Sequence, residues 1–133
     1  MLVLHLLCPT IVLRAILKKS WLDDVGRITS TAFIYDPTRD PDGLSINVAS
    51  LTDVPLWLGS FNASFGANSL HCGRVRGLHL EIGQTPDDLT HDHSHAVIAG
   101  LPSPDDDPQR AEDLATELVK MSRSVDRTQR RRR

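Results

Sequence analysis

The sequence predicts a single α+β domain, with one mixed or mostly antiparallel sheet and a C-terminal amphipathic helix packed on one face. Three observations predict it. Short apolar runs recur at residues 10–17, 44–48 and 96–99, each followed by polar or glycine-bearing sequence. They do not alternate with long helical repeats, so a doubly wound parallel sheet is not expected. The clearest helical pattern comes last, from residue 107 onward. A chain of 133 residues suits one domain that buries a core without staples. The expected division is an N-terminal extension at 1–9, the domain at 10–126, and a basic disordered tail at 127–133.

Residues 1–7 are apolar, but no cation precedes them, His5 interrupts them, and no clean cleavage site follows. They are also too short to span a bilayer. Residues 10–17 are rich in β-branched side chains and apolar on both faces except at Arg14, which predicts a central strand. A polar connection with Trp21 leads to a turn at Gly26 and a second strand at 31–35, with Phe33 and Tyr35 on one face. Residues 36–43 hold Pro, Asp and Gly and read as a turn-rich loop. Residues 44–48 form a strand with Leu44, Ile46 and Val48 on one face. Residues 53–62 suit a short helix, because Pro55 is tolerated in a first turn and Trp57, Leu58 and Phe61 make an apolar face. Residues 63–71 read as a loop. Residues 72–82 read as a strand, since Leu78, Leu80 and Ile82 alternate with polar neighbours. Residues 83–94 read as an acidic loop with histidines. The run Ala96, Val97, Ile98, Ala99 predicts a buried strand opened by His95. Asp107 is a natural N-cap and Pro108 a natural first residue of the closing helix. Ala111, Leu114, Ala115, Leu118, Met121 or Ser122, and Val125 then make one stripe.

Charge is divided along the chain. All 17 acids precede residue 127, and five of the 15 cations lie at 127–133. An acidic body excludes the broad basic face that specific nucleic-acid binding needs. Arginines 130–133 predict weak, nonspecific attraction to polyanions. Cys8 and Cys72 show neither a disulfide framework nor metal spacing, so thiols in a reducing cytoplasm are expected; geometry decides whether they pair. Gly59, Gly66, Gly73 and Gly77 match no phosphate-binding loop. No cofactor and no membrane segment are expected.

The blocks Val12-Leu-Arg-Ala-Ile, Gly26-Arg-Ile-Thr-Ser-Thr-Ala-Phe, Leu44-Ser-Ile-Asn-Val, His95-Ala-Val-Ile-Ala-Gly and Ala111 with Leu114-Ala115 resemble, in that order, a group of small uncharacterised bacterial proteins. The resemblance covers about residues 12–120 and implies a lineage without an assigned activity.

Two constellations bear chemistry. Arg14, Ser30, Ser45 and His95 are polar positions in or beside apolar strands. Brought together, they offer a guanidinium fork for phosphate or carboxylate, two hydroxyls, and an imidazole as general base. An Arg on a first strand with a Ser/Thr-rich second strand also resembles the layout of ADP-ribosyltransferases. The chain departs from it in the acidic residue many of those enzymes carry, since Glu81 is the only glutamate in a predicted strand. The alternative is structural: Arg14 paired with a carboxylate, the hydroxyls and His95 satisfying strand ends. The second constellation is His91, His93 and His95, spaced to share one face of a strand as weak metal candidates; a closed site also needs a fourth ligand. Two function classes follow. One is a protein-interaction or oligomerisation module with its interface near Trp57 and Phe61. The other is a nucleotide-binding or ADP-ribosyltransferase-like enzyme using Arg14, Ser45 and His95.

Overall fold

The structure is a computed structural model that describes residues 4–5, 10–85 and 94–126. The chain forms one antiparallel sheet with helices added to it. Its strands are β1 (Leu4–His5), β2 (Ile11–Ala15), β3 (Leu44–Val48), β4 (Ala67–His71), β5 (Glu81–Gln84), β6 (His95–Ala99) and β7 (Arg123–Ser124). Their order across the sheet is β1-β5-β6-β3-β2-β4-β7, and every neighbouring pair is antiparallel. The helices are α1 (Val54–Gly59), α2 (Cys72–Arg76) and α3 (Pro108–Met121). The fold class expected from sequence is therefore the observed one. Among the described residues, no helix is long and apolar enough to cross a membrane. Within the stretch read as an extension, Leu4 and His5 pair with Gln84 and Gly83 at one edge of the sheet.

Successive strand residues point to opposite faces, so the sheet carries two different surfaces. On the first face, Val12, Ile16, Leu44, Ile46, Val48, Leu70, Ile82, Ala96 and Ile98 form one buried cluster with Leu114, Ala115 and Leu118 of α3. The helix starts where expected: the Asp107 carboxylate accepts from the Arg110 N–H at 3.0 Å, and Pro108 sits in the first turn. It stops earlier than the stripe suggested. Ser122 is extended, and the Val125 N–H donates to Ala67 O, so Val125 belongs to the sheet edge and not to the helix. On the second face, Leu13, Ala15 and Ala67 pack against Val54 and Leu58 of the short α1. Asp53 caps α1, accepting from the Leu56 N–H at 3.3 Å.

Three expectations are corrected. Residues 31–35 are not a strand; Ser30–Phe33 form a 3-10 turn. Ala32 and Phe33 are both fully buried in the first cluster. A strand would send such neighbours to opposite sides, whereas a turn laid over the sheet points both down. Residues 72–82 are not one strand. Cys72 and Val75, three apart, are the buried side of α2, and β5 begins only at Glu81. The apparent alternation of Leu78, Leu80 and Ile82 spans a turn in which His79 has φ +62°. Finally, residues 67–71 are not a loop but β4, paired with β2 along its whole length. Its polar residues are answered locally: Asn68 donates to the Ser122 hydroxyl at 3.0 Å.

Candidate functional site

The ladder between β2 and β3 consists of two pairs, Val12 with Val48 and Leu13 with Asn47. Beyond them the strands part, and the Arg14 side chain fills the seam. Its Nε donates to Ala32 O and its Nη1 to Ser45 O, both at 2.9 Å. The guanidinium also lies 5.1 Å from the centre of the Trp21 ring, and Arg39 lies 5.3 Å from the same ring. Arg14 is only 3 % exposed. Its Nη2 is buried with no hydrogen-bond partner among the described residues. Burial first, and then the charge of Arg39, lowers its pKa to about 10, with Asp40 acting in the opposite direction. Arg14 thus remains a cation at neutral pH. No carboxylate of the described residues forms an ion pair with it. Its fixed partners are backbone carbonyls, which is neither the carboxylate pairing nor the open phosphate fork considered from sequence.

Ser45 joins this seam to the second face. Leu44 and Ile46 point into the first cluster, so the Ser45 hydroxyl between them points the other way. There it lies 2.8 Å from His95 Nε2. The other ring nitrogen, Nδ1, is hydrogen-bonded to the Thr85 hydroxyl. The placement follows from register. Asn47 pairs with His95 on β6, and the Thr85 N–H donates to His95 O as β5 runs out. Asn47, His95 and Thr85 therefore share one row on the second face, beside Ser45. A neutral imidazole has one donor and one acceptor nitrogen, so one hydroxyl donates to the ring and the other accepts from it. Either tautomer leaves a hydroxyl proton aimed at an imidazole, the geometry of general-base activation.

The structure thus links three of the four residues singled out from sequence: Arg14 binds the carbonyl of Ser45, and His95 binds its hydroxyl. Ser30 is elsewhere; its hydroxyl donates to Glu112 at 2.7 Å on the surface. Glu81 is exposed at the start of β5. His91 and His93 lie outside the described residues. Both ring nitrogens of His95 are engaged by hydroxyls, and among the described residues no cluster of three or more potential metal ligands occurs. Asn47 could have been found from sequence, since it lies two residues from Ser45 and so on the same face. Thr85, Trp21 and Arg39 carry no such signal, because long-range pairing and a loop bring them in.

Next to this row, between α1 and β3, lies a groove of about 290 Å³. Asn47 and Ser94 are polar residues in its wall, with Trp57, Leu51 and Leu56 as its apolar part. A larger cavity, about 620 Å³, lies between the 22–28 turn and the β4–β7 edge, and neither Arg14 nor His95 lines it. Comparison with family models, curated proteins and solved structures finds no match to this chain.

Proposed function

We propose that the chain is a ligand-binding domain for a phosphate-bearing, hydroxyl-rich small molecule of the nucleotide type, held at the seam between β2 and β3. One observation carries the reading: Arg14 is a buried cation with a nitrogen that has no partner. Leaving such a donor unmade costs about 1–3 kcal/mol, more when charged, so an anion that reaches it gains that amount back. Arg39, over the same indole and 36 % exposed, marks the solvent side of the site. Ser45, His95 and Thr85 supply hydroxyl and imidazole groups suited to a sugar. In the sharper, enzymatic form of this reading, His95 is the general base toward the Ser45 hydroxyl, whose proton is aimed at Nε2 in one tautomer. Cys72 is a buried thiol, which suits a reducing compartment such as the cytoplasm.

The test is a thermal and chemical denaturation series with NAD, ADP and pyrophosphate. A true ligand at a hundredfold excess over its Kd raises stability by about 2.7 kcal/mol. Arg14→Lys removes most of that gain, because an ammonium cannot hold the Ala32 and Ser45 carbonyls in the guanidinium's planar geometry and still place a donor where Nη2 lies. If the parent shows no gain with any of the three, the reading fails. A second reading, self-association or protein binding, rests on Leu56 and Leu51 near Trp57, which are 71 % and 42 % exposed. Sedimentation across a concentration series, with Leu56→Glu as control, measures it.

A further inference from the structure

We propose that the groove between α1 and β3 is a nucleobase pocket, taking an adenine-type ring against Trp57 with its hydrogen-bonding edge on the Asn47 carboxamide. The inference deepens the nucleotide reading and rests on it for the sugar, which the second-face row of Ser45, His95 and Thr85 would meet; a phosphate reaches Arg14 only through the seam where β2 and β3 part. It starts from the chemistry of the wall. Asn47 is 5 % exposed, and among the described residues its side chain makes one hydrogen bond, Nδ2 to Ser94 Oγ at 2.6 Å. A carboxamide has two donors and a two-fold acceptor. Among the described residues, one N–H and the carbonyl oxygen of Asn47 are therefore left over, in a residue that lines the groove. That donor–acceptor pair is the complement of an adenine edge, which Asn binds with two hydrogen bonds.

The rest of the groove suits the same guest. Trp57 supplies an aromatic surface, held edge-on by Phe61 at a ring separation of 5.9 Å. Aromatic side chains attract nucleobases by stacking, and the apolar Leu51 and Leu56 extend the surface. The groove, at about 290 Å³, is small, the scale of a ring and not of a macromolecule. Its position is the second argument. Asn47 pairs directly with His95, so the pocket lies beside the row of Ser45, His95 and Thr85. A base in the groove therefore places its attached sugar over those hydroxyls.

Calorimetric titration of the full chain with AMP, ribose 5-phosphate and adenosine tests this. The expected result is AMP binding at least about tenfold tighter than ribose 5-phosphate, the loss of one good contact set. Trp57→Leu should remove the difference while leaving ribose 5-phosphate unchanged. Asn47→Leu should reduce AMP more than an analogue with a blocked base edge. Asn47 is buried, so Trp57→Leu, on a half-buried side chain, is the decisive variant if Asn47→Leu does not fold. Equal affinity for AMP and ribose 5-phosphate overturns the base pocket and leaves the seam reading standing. Adenosine binding that depends on Trp57, with ribose 5-phosphate inert, supports the pocket and removes the seam. No binding of any of the three overturns both. A dimer that Leu56→Glu dissociates, with no base preference, gives the groove to a second copy and overturns the pocket.

Discussion

The two faces of the sheet use the same strands for opposite ends. The first face is continuous and apolar: α3 and the 30–33 turn cover it, and Phe33, Leu44, Ile46 and Leu118 have at most 1 % exposure. The second has a smaller apolar patch, under α1, and beside it a polar row of Ser45, Asn47, His95 and Thr85. Burial of apolar area contributes about 25 cal/mol per Å², so stability should be concentrated on the first face. The polar row contributes little net stability, because its bonds replace bonds to water. What it holds is orientation: each hydroxyl and ring nitrogen has a defined partner. Arg14 belongs to both, lying among the first-face residues while binding the carbonyl of Ser45, whose hydroxyl faces the other side.

This contrast can be broken by graded substitutions. The largest effect is expected on the first face. Leu118 is fully buried, and Leu118→Ala should cost about 2–5 kcal/mol in chemical denaturation. A loss below about 0.5 kcal/mol, the size of an ordinary surface change, would mean that α3 does not anchor the core.

Next comes Gly43, where the loop enters β3. Its φ is +136°, and an added Cβ would lie 2.8 Å from Ile98 O and 3.1 Å from the Val97 Cβ. Both obstacles are fixed by β6, so Gly43→Ala should cost about 1–3 kcal/mol, from backbone strain with added steric crowding. Equal midpoints for parent and variant would show that the loop enters differently.

On the second face the expected stability change is smaller and the functional change larger. His95→Ala should cost about 1 kcal/mol, the net value of one or two hydrogen bonds, and should abolish ligand-induced stabilisation. A loss as large as that of Leu118→Ala, with ligand stabilisation intact, would make His95 a core residue and reverse the comparison.

The smallest effect concerns Tyr35, the single tyrosine of the chain. Burial, and then Asp40, Asp42 and Asp36, raise its pKa above 10.0. The folded state therefore holds the phenolic proton longer than the unfolded state does. Its contribution to stability is full below pH 10 and is lost as pH rises through the folded value. Ultraviolet titration of the phenolate checks this, with the denatured chain as reference. A native midpoint at or below the denatured one contradicts the placement of Tyr35 beside the acidic loop.

Some of this was legible in the residues themselves. Asp107 and Pro108 determined where α3 begins, because capping depends on a few neighbouring atoms. Leu114 and Leu118 determined its buried side, because a 3.6-residue repeat is a local property. The apolar runs around Arg14, at Ser45 and after His95 determined three strands, and Arg14 and His95 stood out as polar groups in them. Tertiary structure decided the rest. Which strands neighbour one another depends on contacts far apart in sequence, and only the β3–β6 pairing brings His95 to Ser45. Only the pairing of β5 with β6 brings Thr85 to the other side of the ring. Tertiary packing also turned residues 30–33 into a cover rather than a strand, because a sheet face left bare is satisfied by any segment that can lay two adjacent apolar side chains upon it. And it decided what Arg14 binds: a side chain fixes its own charge, but where the charge finds partners depends on where β2 and β3 part.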